Sequence, residues 1–219
     1  MNTPWSEVPS LLFPALGQTI AMVGIVMALV VSVGTPIGVV LHNTSPLGLF
    51  PRPSLHALIS GLTNVGRSLP FLVLMAAVIP FTRLLVGTNI GIRAAIVPMT
   101  LAGIPFFARL VQGAIREVPP AAMSVGIVSG GHPLQIILGI QLSEALPALV
   151  GGFVVNLIAM IEYSAIAGAI GAGGIGYLAI NYGYQRFDGN IMIACVITLV
   201  VLTQIIQFVG DAAIVRLTR

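Results

Sequence analysis

The stretch Leu11–Leu41 reads LLFPALGQTIAMVGIVMALVVSVGTPIGVVL and contains no charged residue in 31 positions. A helix that crosses the hydrocarbon core of a bilayer needs about 20 mostly apolar residues. A secretory signal peptide would instead have a basic start and an apolar core of about 7–15 residues. The residues before the stretch include no Lys or Arg. We therefore expect a retained first membrane helix.

The composition of the whole chain indicates the same class of protein. Of 219 residues, 57% are apolar and 7% are charged, and the mean hydropathy is +1.07. A typical soluble domain has roughly 25% charged residues, so a soluble monomer and a disordered chain are excluded. All nine basic residues are Arg. The lack of Lys excludes a GK[ST] phosphate-binding loop and Schiff-base chemistry on lysine.

Turn formers and charges divide the chain into five predicted spans in an all-α, polytopic membrane protein. We place the spans at about 11–41, 58–85, 90–111, 144–166 and 191–210, within one membrane domain of residues 1–219. Pro70 and Pro80 are expected to bend the second span, which neighbouring helices make tolerable. A polar, Pro- and Gly-rich loop at about 112–143 follows the third span. Ala167–Asn190 is predicted to be a long connection.

The placement of arginine predicts the orientation, because cytoplasmic loops are enriched in basic residues. With the N-terminus outside, the inside has the larger set, namely Arg52, Arg109, Arg116, Arg216 and Arg219. The outside then has Arg83, Arg93 and Arg186. We therefore expect a cytoplasmic C-terminus and a cytoplasmic loop at 112–143. Arg93 and Arg109 bracket the third span and are expected to reach opposite interfaces.

The cytoplasmic loop has the sequence features of two short helices. Pro119-Pro120 is typical of the first turn of a helix, Gly130-Gly131 of a helix end, and Pro133 of a second start. Two short helices joined at a glycine would form a compact knob on the cytoplasmic face. From the spacing alone, a plain surface loop is the alternative.

This loop resembles the cytoplasmic loop of permease subunits of ABC importers, which contains E-A-A, three residues, G, nine residues and I-x-L-P. Gly130, Ile140 and Leu142 lie at the G, I and L of that pattern. The chain departs from the pattern at Ser124–Gly126, which replaces E-A-A, and at Ser143, which replaces the proline. The resemblance implies an ATPase-coupling loop that contains Glu117, Ser124, Val125, Gly126, Gly130, Gly131, Ile140 and Leu142.

Other segments, spread over nearly the whole chain, are similar to permeases of methionine importers. They include NVGRSLPF at 64–71, IPFTR at 79–83, EALP at 144–147, GAGGIG at 171–176 and QFVGD at 207–211. The resemblance implies a five-span type I importer permease of a bacterial inner membrane that works as a homodimer among membrane lipids. It implies two cytoplasmic ABC ATPase subunits and an extracytoplasmic methionine-binding protein as partners.

The resemblance also implies how such a subunit works. It is not itself an enzyme and has no catalytic residue or cofactor, because ATP binds to the partner ATPase. The lack of Lys agrees with an external energy source. We expect alternating access, in which closure of the ATPase dimer moves the loops around Ser124–Gly131 and rocks the spans.

Polar residues of the fourth span are the candidates for lining the translocation pathway. Glu162 is the acidic residue well inside an apolar run, where charges usually serve function. The family pattern usually has a small or neutral residue there. Polar side chains in lipid face protein or water, so contact between helices is the alternative reading. The candidates are Asn156, Met160, Glu162, Tyr163 and Ser164.

Other classes of function are less compatible with the sequence. Gly171–Gly176 matches GxGxxG but follows a membrane span, so close helix packing or a flexible outer turn is favoured over nucleotide binding. No His/Cys cluster predicts a metal site, nothing predicts nucleic-acid binding, and Cys195 is expected to be a small buried apolar residue. The spans lack a mid-depth His, and no GxSxG is present, which disfavours an intramembrane protease. Import of another amino acid or a quaternary amine stays open, as does a small channel.

Overall fold

The computed structural model describes residues 2–218, which form helices and short connections without a strand. The α-helices are α1 Val8–Asn43, α2 Pro53–Ser68, α3 Phe71–Ala77, α4 Ile79–Val86, α5 Ile92–Arg116, α6 Pro120–Val128, α7 Pro133–Ile136, α8 Leu142–Glu144, α9 Leu146–Ala167, α10 Gly174–Leu178 and α11 Gly189–Leu217. Three π-helical turns lie at Ile137–Gln141, Gly168–Ala172 and Ala179–Tyr184. The predicted all-α fold is confirmed.

Four segments are long and apolar enough to cross a membrane. They are Val8–Asn43, Ile92–Arg116, Leu146–Ala172 and Gly189–Leu217. Each leaves large apolar side chains exposed, such as Ile25 on α1 and Val200 on α11. Such surfaces are compatible with lipid or with a second membrane helix.

The region of the predicted second span is divided into three helices. Neither α2 nor α3 alone is long and apolar enough to cross a membrane. Together they are long enough if the pair, which is bent by 102°, is counted as one broken span. Pro70 precedes α3 in an extended conformation, with φ −55° and ψ 134°, and Pro80 lies in the first turn of α4. Proline lacks a backbone N–H and disfavours helical geometry in the preceding residue. The prolines therefore break this segment into separate helices, where a bend was expected.

The chain forms two compact units. The first unit contains the chain up to Leu29 together with Leu69–Gly103 and Leu157–Gln207, and the remaining residues form the second. In the first unit, Val8 and Ala15 of α1 belong to one buried cluster with Ile175 and with Cys195 of α11. Cys195 is completely buried, as predicted for a small apolar residue.

In the second unit, the C-terminal half of α1 packs closely on α5. A Cβ atom added to Gly34 would lie 3.1 Å from Phe107, and one added to Gly38 would lie 2.6 Å from the carbonyl oxygen of Ala108. Small residues let membrane helices approach each other in this way. This packing positions the end of α1 beside the segment that follows α5.

The predicted connection at 167–190 is mostly helical. Its helix α10 begins where two side chains of α1 accept hydrogen bonds from its first backbone amides, Gln18 Oε1 from Gly174 at 2.8 Å and Thr19 Oγ1 from Ile175 at 3.0 Å. Gly176 lies so close to the backbone of Ala165 that a Cβ atom would collide with it. Gly176 of the glycine pattern therefore serves close helix packing, one of the two roles expected for that pattern.

Candidate functional site

The predicted coupling loop contains the two short helices expected from its proline and glycine residues. Helix α6 begins directly after Pro119, and Gly130 follows its end with a φ of +70°, a left-handed conformation that glycine adopts easily. His132 caps α7: its backbone N–H donates to Gln135 Oε1 at 2.9 Å, and its ring Nδ1 accepts from the Leu134 amide at 3.4 Å. The helical prediction for this loop is confirmed.

Two residues of the resemblance pattern meet at the centre of this loop. Gly126 of α6 is buried, and a Cβ atom at this position would lie 2.5 Å from Ile140 Cδ1. The Gly131 amide donates to the Gly126 carbonyl oxygen at 3.0 Å. Ile140 belongs to the π-helical turn, and Leu142 begins α8 directly after it. Helix α6 is therefore held against the start of the fourth span.

The outer side of the loop is apolar and exposed. No Asp, Glu, Lys or Arg occurs between Glu117 and Glu144. Val128 is 87% exposed, and we define the coupling surface as its exposed apolar side chains, Val125, Ile127, Val128, Leu134 and Leu138. Exposed apolar patches of this kind mark sites of interaction with protein or membrane.

The remaining loop candidates lie around this surface. Ser124 is exposed and its hydroxyl donates to the Pro120 carbonyl oxygen at 2.9 Å. Glu117 and Glu144 line one cavity of about 400 Å³ together with Ile214 near the end of α11. The charge-free segment of the sequence thus begins directly after Glu117 and ends directly before Glu144.

A reciprocal amide pair anchors the loop, and sequence reasoning missed it. Asn43 Nδ2 donates to Gln141 Oε1, and Gln141 Nε2 donates to Asn43 Oδ1, both at 2.9 Å. Their exposed fractions are only 2% and 1%. Because they are 98 positions apart in the sequence, no local pattern could have paired them. They link the end of α1 to the π-helical turn that carries Ile140.

The guanidinium of Arg109 is held by hydrogen bonds to four acceptor atoms. Its guanidinium Nη1 donates to Gln112 Oε1 at 2.7 Å. Its Nη2 donates to Ser60 Oγ at 2.6 Å, to the Ser60 carbonyl oxygen at 3.0 Å and to Asn64 Oδ1 at 2.8 Å. A guanidinium is suited to several such bonds at once. Arg109 therefore joins α5 to α2.

Four of the five pathway candidates of α9 are buried or half-buried, and the fifth is exposed. Asn156, Met160 and Ser164 are buried, and the Ser164 hydroxyl donates to the Ile161 carbonyl oxygen at 2.7 Å. Tyr163 is half-buried and stacks on Phe71 of α3, with ring centroids 4.3 Å apart and an interplanar angle of 4°. Glu162 is exposed. The structure therefore does not bring the five candidates together on one face.

A polar cluster joins the N-terminal segment to the start of α11. Asp188 Oδ2 accepts hydrogen bonds from the Thr3 hydroxyl at 2.6 Å and from the Thr3 amide at 2.8 Å, while Oδ1 accepts from the Ile191 amide at 3.2 Å. The hydrogen bond from the Thr3 hydroxyl lowers the pKa of Asp188 most, and the backbone amides add to the effect. Within residues 2–218, no three His, Cys, Asp or Glu side chains lie close enough to hold a metal ion.

Comparisons with known proteins place these features among importer subunits. Residues 34–219 match the family described as "Binding-protein-dependent transport system inner membrane component". A Vibrio cholerae protein named "Probable D-methionine transport system permease protein MetI" is 47% identical over 206 residues, which cover 94% of this chain and 92% of the relative. The protein of Escherichia coli K12 named "D-methionine transport system permease protein MetI" is 39% identical, with coverages of 72% and 73%.

Solved structures have the same fold. A chain of the "MetNI methionine ABC transporter" in an inward-facing conformation superposes with a TM-score of 0.93 and 39% identity, covering 95% of this chain and 97% of that one. A chain of an amino acid ABC transporter superposes with a TM-score of 0.79 and 17% identity, covering 99% and 100%. The second similarity, at this low identity, supports the fold alone.

Proposed function

Because the chain belongs to the family of binding-protein-dependent transport system inner membrane components, we propose that it is the permease subunit of an ATP-driven importer of methionine or a closely similar amino acid. The relatives named as D-methionine permeases favour methionine over another amino acid or a quaternary amine. Their names also favour a transporter over a small channel.

The coupling surface is the observation that carries this proposal. It is apolar, exposed and free of charge over a segment that no membrane-spanning helix contains. The chain has no Lys and hence no phosphate-binding loop of the GK[ST] type, so the energy of ATP enters from another protein. A separate ABC ATPase that docks on α6 fits both observations. ATP binds there, and this chain is not itself catalytic.

The assembly we propose contains two copies of this chain, two ATPase subunits and an extracytoplasmic substrate-binding protein. A closed two-fold dimer is the default symmetry for such a subunit. The N-terminus lies outside and the C-terminus in the cytoplasm, which places α6 and α7 on the ATPase side. The predominance of arginine on that side supports the orientation.

Buried contacts supply the mechanical link in this proposal. Gly126 lies against Ile140, and Gln141 is bonded to Asn43 at the end of α1. Movement of α6 with the ATPase would therefore be passed to the first and fourth spans. The translocation pathway opens to alternate sides as the spans rock. Of the pathway candidates, the exposed Glu162 is best placed to face a space between two copies.

The test of the proposed function is ATP-driven uptake of methionine. The chain is reconstituted in vesicles with its ATPase and its binding protein, and radiolabelled methionine is added outside. We expect accumulation against a gradient only when ATP is present inside. Equal fluxes with and without ATP would indicate a channel and contradict the proposal.

A variant of the coupling surface tests the docking of the ATPase. Val128→Asp places a charge at the most exposed large apolar side chain of α6 and is expected to abolish uptake while leaving membrane insertion intact. Val128→Thr has nearly the same shape without the charge and is the matched control. Normal uptake by Val128→Asp would remove the assigned role of this surface.

A further inference from the structure

One acidic side chain lies inside an apolar membrane segment and is exposed on the chain. Glu162 is five residues before the end of α9 at Ala167, about 8 Å along the helix, and the backbone leaves helical geometry at Ile170 and Gly171. The hydrocarbon core of a bilayer is about 30 Å thick, and the 22 residues of α9 are about 33 Å long, so a spanning α9 has this carboxylate inside the core and nearer to its C-terminal interface. An ionised side chain at such a depth almost always faces protein or a water-filled cavity.

The neighbours of Glu162 fix the direction in which it projects. Met160 and Ser164 are buried, with exposed fractions of 0% and 2%. Residues two positions apart in an α-helix are rotated by about 200°, so Glu162 lies on the side of α9 opposite to both. The stacking of Tyr163 on Phe71 holds the next residue in place as well. Rotation of α9 that buried Glu162 would break all these contacts.

The single chain offers this carboxylate no partner. Among residues 2–218, Glu162 makes no ion pair and no hydrogen bond through its side chain. The residues that surround it on the same side of the helix are small or apolar and only half-buried: Ile158, Ala159, Ala165 and Ile166. This side of α9 therefore presents one isolated, exposed carboxylate among half-buried apolar residues.

Resting on the proposed function, we propose that Glu162 of each of two copies faces the pathway between them and binds the α-ammonium group of the transported amino acid. The site is incomplete in one chain, because the second copy forms the opposite wall and excludes lipid. A carboxylate complements an ammonium group through charge-assisted hydrogen bonds, which are about twice as strong as neutral ones. Glu162 thereby selects substrates with a free amino group.

A binding experiment tests this role without the substrate-binding protein. Radiolabelled methionine is equilibrated by dialysis with the purified complex of the permease and its ATPase. Two competitors test the two charged groups of the substrate one at a time. The amine left after decarboxylation of methionine has only the ammonium group, and N-acetylmethionine has only the carboxylate. We expect the amine to compete in the wild-type complex.

Glu162→Gln is the decisive variant. We expect methionine to bind roughly tenfold more weakly, since a hydrogen bond to a charged group is lost. Competition by the amine should disappear, while N-acetylmethionine should compete as it does in the wild type. Glu7→Gln makes the same chemical change at an exposed position outside the spans and should behave as the wild type. Unchanged competition by the amine in Glu162→Gln would overturn the inference.

Two further variants distinguish loss of the ammonium-binding group from a loss of folding. Glu162→Asp retains the charge and should retain competition by the amine, which a purely structural role would not require. Glu162→Cys, combined with Cys195→Ala, should react with a membrane-impermeant cationic thiol reagent, and methionine should slow the reaction. A cysteine at this position that does not react would mean that the side chain faces lipid or is closed off in an ion pair with the second copy, and would overturn the inference.

Uptake by the wild-type importer separates the two proposals. Wild-type vesicles that take up no methionine with ATP contradict the proposed function. ATP-driven uptake by the wild type, together with amine competition that is the same in Glu162→Gln, contradicts only the role of Glu162.

Discussion

Asn43 and Gln141 form a closed pair of amides, each donating one 2.9 Å hydrogen bond to the other in a buried environment. Asn43 Nδ2 also donates to the Val39 carbonyl oxygen at 3.0 Å, so the pair is tied into the last turn of α1. Buried polar groups are stable only when their hydrogen bonds are made. The pair therefore specifies one position of the coupling loop relative to α1.

Replacement of one member of the amide pair is expected to destabilise the protein more than replacement of both. Gln141→Leu leaves Asn43 Oδ1 without its donor, at a cost of about 1–3 kcal/mol. The double variant with Asn43→Leu removes both polar groups and should recover part of the loss. The measurement is the thermal unfolding of the purified protein in detergent. Gln185→Leu, at an exposed position, is the control, and additive effects of the two substitutions would argue against a coupled pair.

The hydrogen bonds by which Arg109 connects α5 to α2 are expected to depend on the shape of its side chain as well as on its charge. Arg109→Lys keeps the positive charge, but its single ammonium group does not reproduce the planar fork that bonds Gln112, Ser60 and Asn64. We expect this variant to unfold at a lower temperature, with a loss of about 1–3 kcal/mol, and Arg109→Gln to lose more. Arg83→Lys, at an exposed position, should be neutral. Equal stability of Arg109→Lys and the wild type would show that charge alone suffices.

The close approach of Gly176 to Ala165 predicts a strong effect of one added methyl group. In Gly176→Ala the Cβ atom would collide with backbone atoms, which cannot rotate away as a side chain can. Overpacking of this kind costs roughly 1–3 kcal/mol. Gly113→Ala is the matched control, because a Cβ atom there meets nothing within 4 Å. The yield of folded protein after gel filtration decides the prediction, which fails if the two variants are recovered equally well.

The lowered pKa of Asp188 leads us to expect that the folded protein loses stability in acid. Its pKa is lower in the folded protein than its ordinary value near 4, chiefly through the Thr3 hydroxyl, so its bonds stabilise the fold above that pH. This stability should be lost as the pH falls from about 4 through the lowered folded pKa. Thr3→Val should raise the folded pKa and reduce the contribution. Unfolding temperatures between pH 6 and pH 3 test the effect.

The control for the acid effect is Asp188→Asn, which cannot ionise. Its unfolding temperature should fall less steeply with acidification than that of the wild type. Parallel pH profiles of the two proteins would show that other groups cause the acid sensitivity. Glu7→Gln should have the wild-type profile, because Glu7 is exposed.

The local features of the coupling loop were readable from the sequence. Pro120, Pro133 and Gly130 act on the backbone itself, through a fixed φ or access to positive φ, so they predict helix starts and ends without knowledge of the fold. The second span shows where such reasoning stops. Pro70 and Pro80 were expected to bend one helix, yet they separate three. Whether a proline bends or ends a helix depends on neighbours that supply hydrogen bonds to the freed backbone groups.

The orientation of the polar side chains of α9 is a second feature that the sequence alone does not determine. Positions 156, 160, 163 and 164 follow helical spacing, and in the structure three of these residues are buried and Tyr163 is half-buried. Glu162, which does not share that spacing, is exposed. Spacing determines the angle between two side chains on a helix, and packing against other elements determines which way the helix is turned. The contact of Tyr163 with Phe71 is part of that packing and is not visible in the order of residues.

The sequence by itself determined that this is an all-α membrane protein with a short helical loop, because a hydrocarbon environment requires long apolar helices and because proline and glycine act locally. Tertiary structure alone decided which polar groups are joined. Asn43 meets Gln141, Arg109 meets Ser60, and Glu162 is left exposed. These outcomes depend on contacts between residues far apart in the chain, and such contacts arise only when the helices pack.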